Sequence, residues 1–284
     1  MINAMDYESD FENKWCPGCG NFGILKAMKD ALVNLGLAPH EVLIVSGIGQ
    51  AAKTPHFLKC NMFHGLHGRA LPVATGAKIA NHDLTILVNS GDGDCYGEGG
   101  NHFLTAIRRN IDITLLVHNN KIYGLTKGQA SPTSDLNMVT RAQPYGVILE
   151  PFNPLAVALS LNASFVARGF SGNPGHLTMM IQEGVKHKGF SLIDILQPCV
   201  SFNRVNTYEW YNERVYDLGD EDHDLCDFAN AMEKAREWGD RIPVGIFYKE
   251  DRPSFTDRID TLKEGPLVGR KHSMKNLREF LSRF

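Results

Sequence analysis

Two short polar segments of the chain carry the residue types that bind a phosphate and a hard divalent cation. The first is Gly91-Asp92-Gly93, where the glycines let a phosphate approach the backbone and the aspartate can reach a cation that bridges two phosphoryl groups. The second ends in Asn120, whose amide oxygen is another hard ligand. Because Gly-Asp-Gly alone is also ordinary turn chemistry, a site requires both segments to lie side by side.

The spacing of the two segments predicts that they meet at one edge of a sheet. Short apolar runs at 85–89 and 113–117 precede them, and 25 residues separate Gly93 from Asn119, which fits one crossover helix and one strand. Parallel strands end side by side, where open α/β sheets bind ligands. Gly-Asp-Gly followed at this distance by Asn-Asn is the pattern of a thiamine-diphosphate site. We predict that Mg²⁺ is bound by the side chains of Asp92 and Asn120 and by the carbonyl of Ile122, with room left by Gly91, Gly93 and Gly124.

Apolar periodicity along the rest of the chain alternates between helices and short strands. Helical spacing is present at 24–35, 71–80, 102–109, 154–161 and 174–188, with Asn21 as the expected cap of the first helix, and strand-like runs lie at 42–45, 85–89, 113–117, 165–167 and 191–196. This alternation predicts an α/β fold: a doubly wound, mostly parallel sheet with helices on both faces, plus a C-terminal extension. With the Gly-Asp-Gly and Asn-Asn pattern, we expect it to be the thiamine-diphosphate-binding fold. We expect a cofactor-binding domain at 1–200, which includes the Cys-x-x-Cys segment, and an extension at 201–284 that packs on this core and on a partner subunit.

Composition and charge exclude several classes of protein. The 29 basic and 32 acidic residues nearly balance, and no basic run is interleaved with aromatic residues, so no nucleic-acid partner is expected. The N-terminus is acidic and polar, and no stretch of about 18 apolar residues follows it, so we expect a cytoplasmic protein without a membrane segment. Six cysteines are too few for a disulfide scaffold, which favours a metal or redox role for Cys16 and Cys19.

Longer motifs resemble the β subunit of the two-subunit 2-oxoacid:ferredoxin oxidoreductases. They run in order from about residue 11 to about residue 250, at 15–21, 47–49, 66–70, 91–94, 122–133 and 197–199. The resemblance implies an enzyme subunit that binds thiamine diphosphate and Mg²⁺ and acts with an α subunit in the oxidative decarboxylation of a 2-oxo acid. The first expected substrate is 2-oxoglutarate and the second is pyruvate. The acyl group would pass to coenzyme A as co-substrate, and the electrons would pass through an iron–sulfur cluster to ferredoxin.

The resemblance also implies which residues surround the cofactor. They are Gly47, Ile48, Gly49, His64, His67, Gly68, Gly91, Asp92, Gly93, Asp94, Asn120, Ile122, Gly124, Leu125 and Thr126. His64 and His67 stand three residues apart, so one helical turn would place both imidazoles on one face, where either could bind the diphosphate or transfer a proton. For His64, a hydrogen bond to a backbone carbonyl is an equally reasonable role.

Members of that family carry a [4Fe–4S] cluster with four thiolate ligands in this subunit. Cys16, Cys19 and Cys199 match three of the ligand positions, but the position after the Gly-Ile-Gly motif is Gln50, which has no thiolate. Cys60, ten residues later, is one candidate for the fourth ligand, and oxygen or water at an open iron is another. Zinc bound by the same cysteines is a further alternative.

The carboxylate of a 2-oxo acid requires a cation or strong donors in the active site. By the resemblance, Lys127 and Lys53 are the candidates, with Leu125 lining the pocket. Two other functions stay open. A non-redox thiamine-diphosphate lyase or synthase would use Asp92 and Asn120 but leave the cysteines idle, and a zinc-bound or clusterless subunit would have a structural role only.

Overall fold

A mostly parallel sheet forms the centre of the computed structural model, which describes residues 2–271 and 274–283. The strands are β1 (Val42–Ser46), β2 (Asn61–His64), β3 (Thr85–Gly91), β4 (Ile113–Asn119), β5 (Ile122–Tyr123), β6 (Gln129–Ala130), β7 (Phe165–Phe170), β8 (Phe190–Leu196), β9 (Val215–Asp217) and β10 (Ile242–Lys249). β5 and β6 pair as a separate hairpin, and the others form one sheet in the order β2-β1-β3-β4-β8-β7-β10-β9. From β2 to β7 all pairs are parallel, whereas β10 runs antiparallel to β7.

Helices cover both faces of this sheet. They are α1 (Asn21–Asn34), α2 (Ala70–Ala80), α3 (Gly100–Arg109), α4 (Pro154–Ser160), α5 (Pro174–Lys186), α6 (Tyr208–Asn212), α7 (Phe228–Arg236) and α8 (Met274–Leu281). One buried core lies between the sheet and α2, α3, α4 and α7, and a second lies between the sheet and α1 and α5. The predicted doubly wound α/β architecture is therefore confirmed. None of the helices in the described part of the chain combines the length and apolar character needed to cross a bilayer.

The C-terminal part of the chain completes the main sheet instead of forming a separate layer. β10 pairs with β7, and β9 extends the sheet beyond β10. α7 packs its buried residues into the same core as α2 and α3. A boundary between a cofactor domain at 1–200 and an extension at 201–284 stays a prediction, since strands from both sides of it share one sheet.

The start of α1 differs from the prediction. Asn21 is not the cap: the cap position is Gly20, and Asn21 is the first helical residue and fully buried. The side-chain Oδ1 of Asn21 lies 2.7 Å from Nδ1 of His118 in β4. A Cβ at position 20 would lie 2.6 Å from the side chain of Gln197, so glycine is needed for the Cys-x-x-Cys turn to approach the end of β8.

Candidate active site

Four neighbouring parallel strands end on the same side of the molecule. The loops that follow them carry residues predicted to bind the cofactor and one of the cysteines predicted to bind a cluster. β1 leads into 47–50, β3 into 92–94, β4 into 120–122 and β8 into 197–199. These strands are adjacent in the order β1-β3-β4-β8, so the loops that follow them lie next to one another. The side-by-side arrangement predicted for Asp92 and Asn120 is therefore present.

Asp92 lies at the bottom of the resulting cleft, with 1% of its surface exposed. The hydroxyls of Ser131 and Thr133 both donate to its Oδ2, at 2.5 and 2.6 Å. Burial raises the pKa of Asp92 to about 6; the hydroxyls lower it and the charge of Asp194 raises it further. Because a carboxylate this deeply buried has lost its water, a divalent cation in the cleft would stabilise the charged form.

Asn120 presents its side chain to the same cleft. Its Oδ1 accepts a hydrogen bond of 3.0 Å from the backbone N–H of Ile122, which fixes the orientation of the amide. The preceding Asn119 is engaged elsewhere: its Nδ2 donates to Asp194 at 3.1 Å and its Oδ1 accepts from Thr133 at 2.8 Å. Of the two asparagines, Asn120 is thus the one that lines the cleft.

Asp94 connects three loops at the rear of the cleft. Its Oδ1 accepts hydrogen bonds from the backbone N–H groups of Ile48 at 3.1 Å and Gly68 at 2.8 Å, and its Oδ2 accepts one from the hydroxyl of Ser90 at 2.6 Å. A Cβ at Gly47 would lie 1.9 Å from Oδ2, so no larger residue fits there. Burial raises the pKa of Asp94, and these donors oppose the shift. This carboxylate therefore holds the loops after β1 and before α2 against the end of β3.

A wide π-helical turn, Gly93–Glu98, joins β3 to α3. The ring of Tyr123 packs against it so closely that a Cβ at Gly93 would lie 2.3 Å from the ring. The Tyr123 hydroxyl is 3.3 Å from the carboxylate of Glu98. Turns of this kind frequently mark functional sites. Here Asp92 is the residue that precedes the turn, and Asp94 lies within it.

Three cysteines line a second cleft beside the first. Cys16 and Cys19 come from the turn before α1, and Cys199 follows β8. The two clefts share Gln50, Asn120 and Gly124. The predicted cysteines are thus brought together, with Gln50 between them and the cleft of Asp92.

Hydrogen-bond donors approach the thiols in this second cleft. The hydroxyl of Ser201 lies 3.1 Å from Sγ of Cys16, and Nε2 of Gln197 lies 3.4 Å from Sγ of Cys19. Burial raises the pKa of Cys19 to about 11. The Oε1 of Gln50 is buried and has no hydrogen-bond partner among the described residues. Within 2–271 and 274–283, no three His, Cys, Asp or Glu side chains are grouped closely enough to hold a single metal ion.

Known proteins match the chain along most of its length. Residues 44–195 match the family described as thiamine pyrophosphate enzyme, C-terminal TPP binding domain, and residues 199–264 match the C-terminal part of the pyruvate ferredoxin oxidoreductase beta subunit. The 2-oxoacid:ferredoxin oxidoreductase subunit beta of a Sulfolobus species is 47% identical over 260 residues, which cover 87% of this chain and 85% of the relative. The chain belongs to the family of 2-oxoacid:ferredoxin oxidoreductase β subunits.

Other members of the family give the same result. The subunit beta from Saccharolobus solfataricus is 49% identical to this β subunit over 252 residues, with 84% and 82% of the two chains covered. A solved structure of 2-oxoglutarate:ferredoxin oxidoreductase from Magnetococcus marinus, with 2-oxoglutarate, coenzyme A and succinyl-CoA bound, superposes with a TM-score of 0.92 at 38% identity. The match covers 99% of this chain and 96% of that one, so the whole fold is shared.

Most of the residues predicted to surround the cofactor in this β subunit line the first cleft. They are Ile48, Gly49, His67, Gly91, Asp92, Gly93, Asp94, Asn120, Ile122, Gly124, Leu125 and Thr126. Gly47 and Gly68 lie behind the cleft, against Asp94. Tyr123 in the lining and the hydroxyls of Ser131 and Thr133 on Asp92 were not predicted, although all three residues lie in the 122–133 motif.

The predicted helical turn at His64 is wrong, whereas the contact with a backbone carbonyl, the alternative role for this residue, is present. His64 ends the edge strand β2, and its Nδ1 lies 2.9 Å from the hydroxyl of Ser46 and 3.1 Å from the carbonyl of Ala52. The helical turn that would place it beside His67 does not form, because the strand continues to residue 64. His67 alone lines the cleft, with its Nδ1 3.9 Å from Asp94.

Two predicted lysines and one cysteine also lie outside both clefts. Lys127 is exposed, with a left-handed backbone (φ 81°), and Lys53 is half-buried in the 3₁₀ helix Ala51–Phe57. Cys60 packs against the core beneath α1, where burial raises its pKa to about 12. Cys60 does not line the cleft of the other three cysteines, so a role as the fourth cluster ligand stays a prediction that requires this segment to move.

Proposed function

We propose that this β subunit, with an α subunit, converts a 2-oxo acid, coenzyme A and two oxidised ferredoxins to acyl-CoA, CO₂, a proton and two reduced ferredoxins. The observation that carries the proposal is the shared wall of the two clefts, formed by Gln50, Asn120 and Gly124. Oxidative decarboxylation leaves two electrons that a one-electron carrier must accept singly, so a redox group beside the cofactor meets a chemical requirement. We propose 2-oxoglutarate as the first substrate and pyruvate as the second, supported by the ligands of the Magnetococcus marinus relative.

We propose that Asp92, Asn120 and the carbonyl of Ile122 hold Mg²⁺ and, through it, the diphosphate of thiamine diphosphate. When bound, this cofactor supplies the nucleophilic carbon and the electron sink for loss of CO₂. The residues fit it because the buried carboxylate of Asp92 is oriented by two hydroxyls and the amide of Asn120 by a backbone N–H. His67 stands at the exposed side of the cleft, where it can donate to a phosphate oxygen or move a proton.

We also propose that Cys16, Cys19 and Cys199 hold an iron–sulfur cluster and that the amide oxygen of Gln50 faces its fourth iron. The proposal is supported by the buried, unpartnered Oε1 of Gln50 on the shared wall. An amide oxygen binds iron more weakly than a thiolate does, so one iron should be labile. In Gln50→Cys we expect about four irons to survive brief oxidation, against about three in the wild type, measured by iron counting and electron paramagnetic resonance. Equal iron loss in the two proteins would contradict the role of Gln50.

Lys127 and Lys53 remain our candidates for the substrate carboxylate. Lys127 directly follows Thr126 of the cleft lining, and Lys53 lies two residues after Ala51. Both lysines are within two residues of the cleft lining in the sequence but are not part of it. We further propose that the enzyme works in the cytoplasm with ferredoxin, since none of the six cysteines is paired in a disulfide, which is the usual state in a reducing compartment.

Anaerobic co-expression with the α subunit tests the proposed activity. The complex should contain thiamine diphosphate and iron, and should reduce a viologen or ferredoxin with 2-oxoglutarate and coenzyme A, less well with pyruvate. Asp92→Asn should remove Mg²⁺-dependent cofactor binding, while Asp83→Asn, an exposed aspartate before β3, should not. A complex that binds the cofactor but holds no iron and reduces no acceptor would point instead to a non-redox lyase or synthase.

A further inference from the structure

A separate cavity of about 210 Å³ lies on the sheet face that α4 and α7 cover. Its polar lining consists of Asn119, Lys121, Thr133, Asn153, Arg168, Asp194 and Arg236, and Trp238 forms an aromatic wall. It shares no lining residue with the cofactor cleft. One water takes up about 30 Å³ in the liquid, so the cavity has room for a small molecule.

The buried guanidinium of Arg168 has fewer hydrogen-bond acceptors around it than it has N–H groups. The residue is 3% exposed, and its Nε has no hydrogen-bond partner among the described residues. Its Nη1 makes one long bond of 3.4 Å to the carbonyl of Pro243. Arg168 in β7 and Asp194 in β8 are register partners on adjacent parallel strands. The Asp194 carboxylate, however, accepts its hydrogen bonds from Tyr96 and Asn119.

The hydrogen bonds described for Arg168 and Asp194 therefore go to other residues, not to each other. Burial lowers the pKa of Arg168 and raises that of Asp194, so the loss of water outweighs their mutual attraction. A buried guanidinium with an unbonded N–H is costly unless an acceptor reaches it. An anionic ligand in the cavity would provide that acceptor.

Further cations add to the positive charge of the cavity. Nζ of Lys121 pairs with Asp135 at 2.5 Å and lies 4.1 Å from the ring centre of Trp238. The guanidinium of Arg168 is 5.5 Å from the same ring, and Arg236 is exposed at the rim. Lys121, Arg168 and Arg236 therefore place three cations in the lining of the cavity, where Asp194 is the carboxylate of the lining and Asp135 and Asp92 lie behind it, near Lys121.

We propose that this cavity binds a small oxyanion, a carboxylate or a phosphate, through the guanidinium of Arg168. A guanidinium presents its N–H groups in a planar fork that matches two oxygens of either group. Trp238 supplies the apolar wall, and Arg236 attracts the anion at the entrance. The site does not depend on the proposed oxidoreductase activity, because none of its residues is assigned a role there except Thr133, which orients Asp92.

The fluorescence of Trp238 reports occupancy directly, since it is one of only three tryptophans in the chain. The full-length chain, saturated with thiamine diphosphate and Mg²⁺ to block the cofactor site, is titrated with inorganic phosphate, with acetate, and with chloride at matched ionic strength. We expect a saturable change with at least one oxyanion and none with chloride. Tighter binding of phosphate than of acetate would identify a phosphorylated ligand, and the reverse order would identify a carboxylate. Trp238→Phe should remove the signal.

Arg168→Gln and Arg236→Ala should each weaken oxyanion binding about tenfold or more, because each removes a charged partner. Arg236 is exposed, so its variant tests the site even if Arg168→Gln folds poorly. Arg108→Ala, an exposed arginine in the last turn of α3, is the matched control and should bind like the wild type. The proposal is overturned if neither oxyanion gives a saturable change, or if Arg236→Ala and Arg168→Gln bind as tightly as the wild type.

Discussion

Gly93 has a neighbour that leaves no space for a side chain. Its Cβ would lie 2.3 Å from the ring of Tyr123, and its φ is not in the left-handed region, so the ring alone excludes a larger residue. Tyr123 lines the cofactor cleft. Gly93 therefore lets this ring pack against the turn, a role separate from the predicted one of leaving room for a phosphate.

We predict that Gly93→Ala displaces Tyr123, weakens thiamine-diphosphate binding about tenfold and lowers the free energy of unfolding by about 1–3 kcal/mol. Adding Tyr123→Ala should restore much of the affinity by removing the clash. Gly76→Ala, in α2 with open space around it, is the matched control and should raise stability by about 0.5–1 kcal/mol. Calorimetric titration of the αβ complex and urea unfolding measure both effects. Wild-type affinity in Gly93→Ala would contradict the prediction that a methyl group at this position collides with the ring and disturbs the cleft.

A site residue can be predicted from the sequence when it follows a regular element, and not when it lies in an irregular loop. Asp92 and Asn120 could be predicted because each directly follows a strand, and adjacent parallel strands fix their relative position. Ser131 and Thr133 reach Asp92 through space from an irregular loop whose course no periodicity encodes. His64 was misplaced because its segment belongs to a strand with no buried residue, and such a strand lacks the apolar alternation that marks one.

At the level of elements, the buried strands were predictable and the edge strands were not. β3, β4 and β8 are covered on both faces, so apolar residues fill most of their positions and do not alternate with exposed polar ones. β9 is a three-residue strand of half-buried residues, and the hairpin of β5 and β6 has two residues in each strand. Such segments carry too few residues for a pattern and form because neighbouring strands supply hydrogen-bond partners.

Asn110 ties several elements together at the end of the sheet opposite the clefts. It follows α3 with a left-handed backbone (φ 50°), and its Oδ1 accepts hydrogen bonds from the hydroxyl of Ser164 at 2.6 Å and the N–H of Phe190 at 3.0 Å. Its Nδ2 donates to the carbonyl of Pro253 at 3.2 Å. One side chain therefore joins the end of α3 to the starts of β7 and β8 and to the C-terminal segment.

We predict that Asn110→Ala lowers the free energy of unfolding by about 2–4 kcal/mol. The variant leaves buried donors without an acceptor, and alanine lacks the short polar side chain that helps asparagine adopt the left-handed backbone. Asn110→Gly should lower stability less, since glycine adopts the left-handed backbone readily. The difference in stability between the two variants then measures what this backbone costs alanine. Asn101→Ala, exposed on the same helix, is the control. Urea unfolding measures the stabilities, and cofactor affinity should stay unchanged. A loss below 1 kcal/mol would mean that these bonds are replaced by water.

For the molecule as a whole, the cofactor cleft is open on one side, and a large apolar surface lies next to it. We call this surface the 136–149 patch; it consists of Leu136, Val139, Tyr145, Ile148 and Leu149, with Tyr145 98% exposed and Ile148 85% exposed. Tyr123 lines both the cofactor cleft and the groove beside the patch. Contiguous apolar surface of this kind marks a protein interface, and in this family the α subunit is the partner that a β subunit requires.

We predict that the α subunit docks on the 136–149 patch and covers the cleft. Tyr145→Asp combined with Ile148→Asp should leave the fold intact, since both side chains are exposed, but should weaken αβ assembly at least tenfold. Met179→Asp, exposed on α5, is the control on another face, and Val268→Asp tests the C-terminal segment as the alternative contact. Co-purification with a tagged α subunit and light scattering measure assembly. If Val268→Asp separates the subunits and the patch variant does not, the C-terminal segment carries the partner, and the patch must serve a different contact.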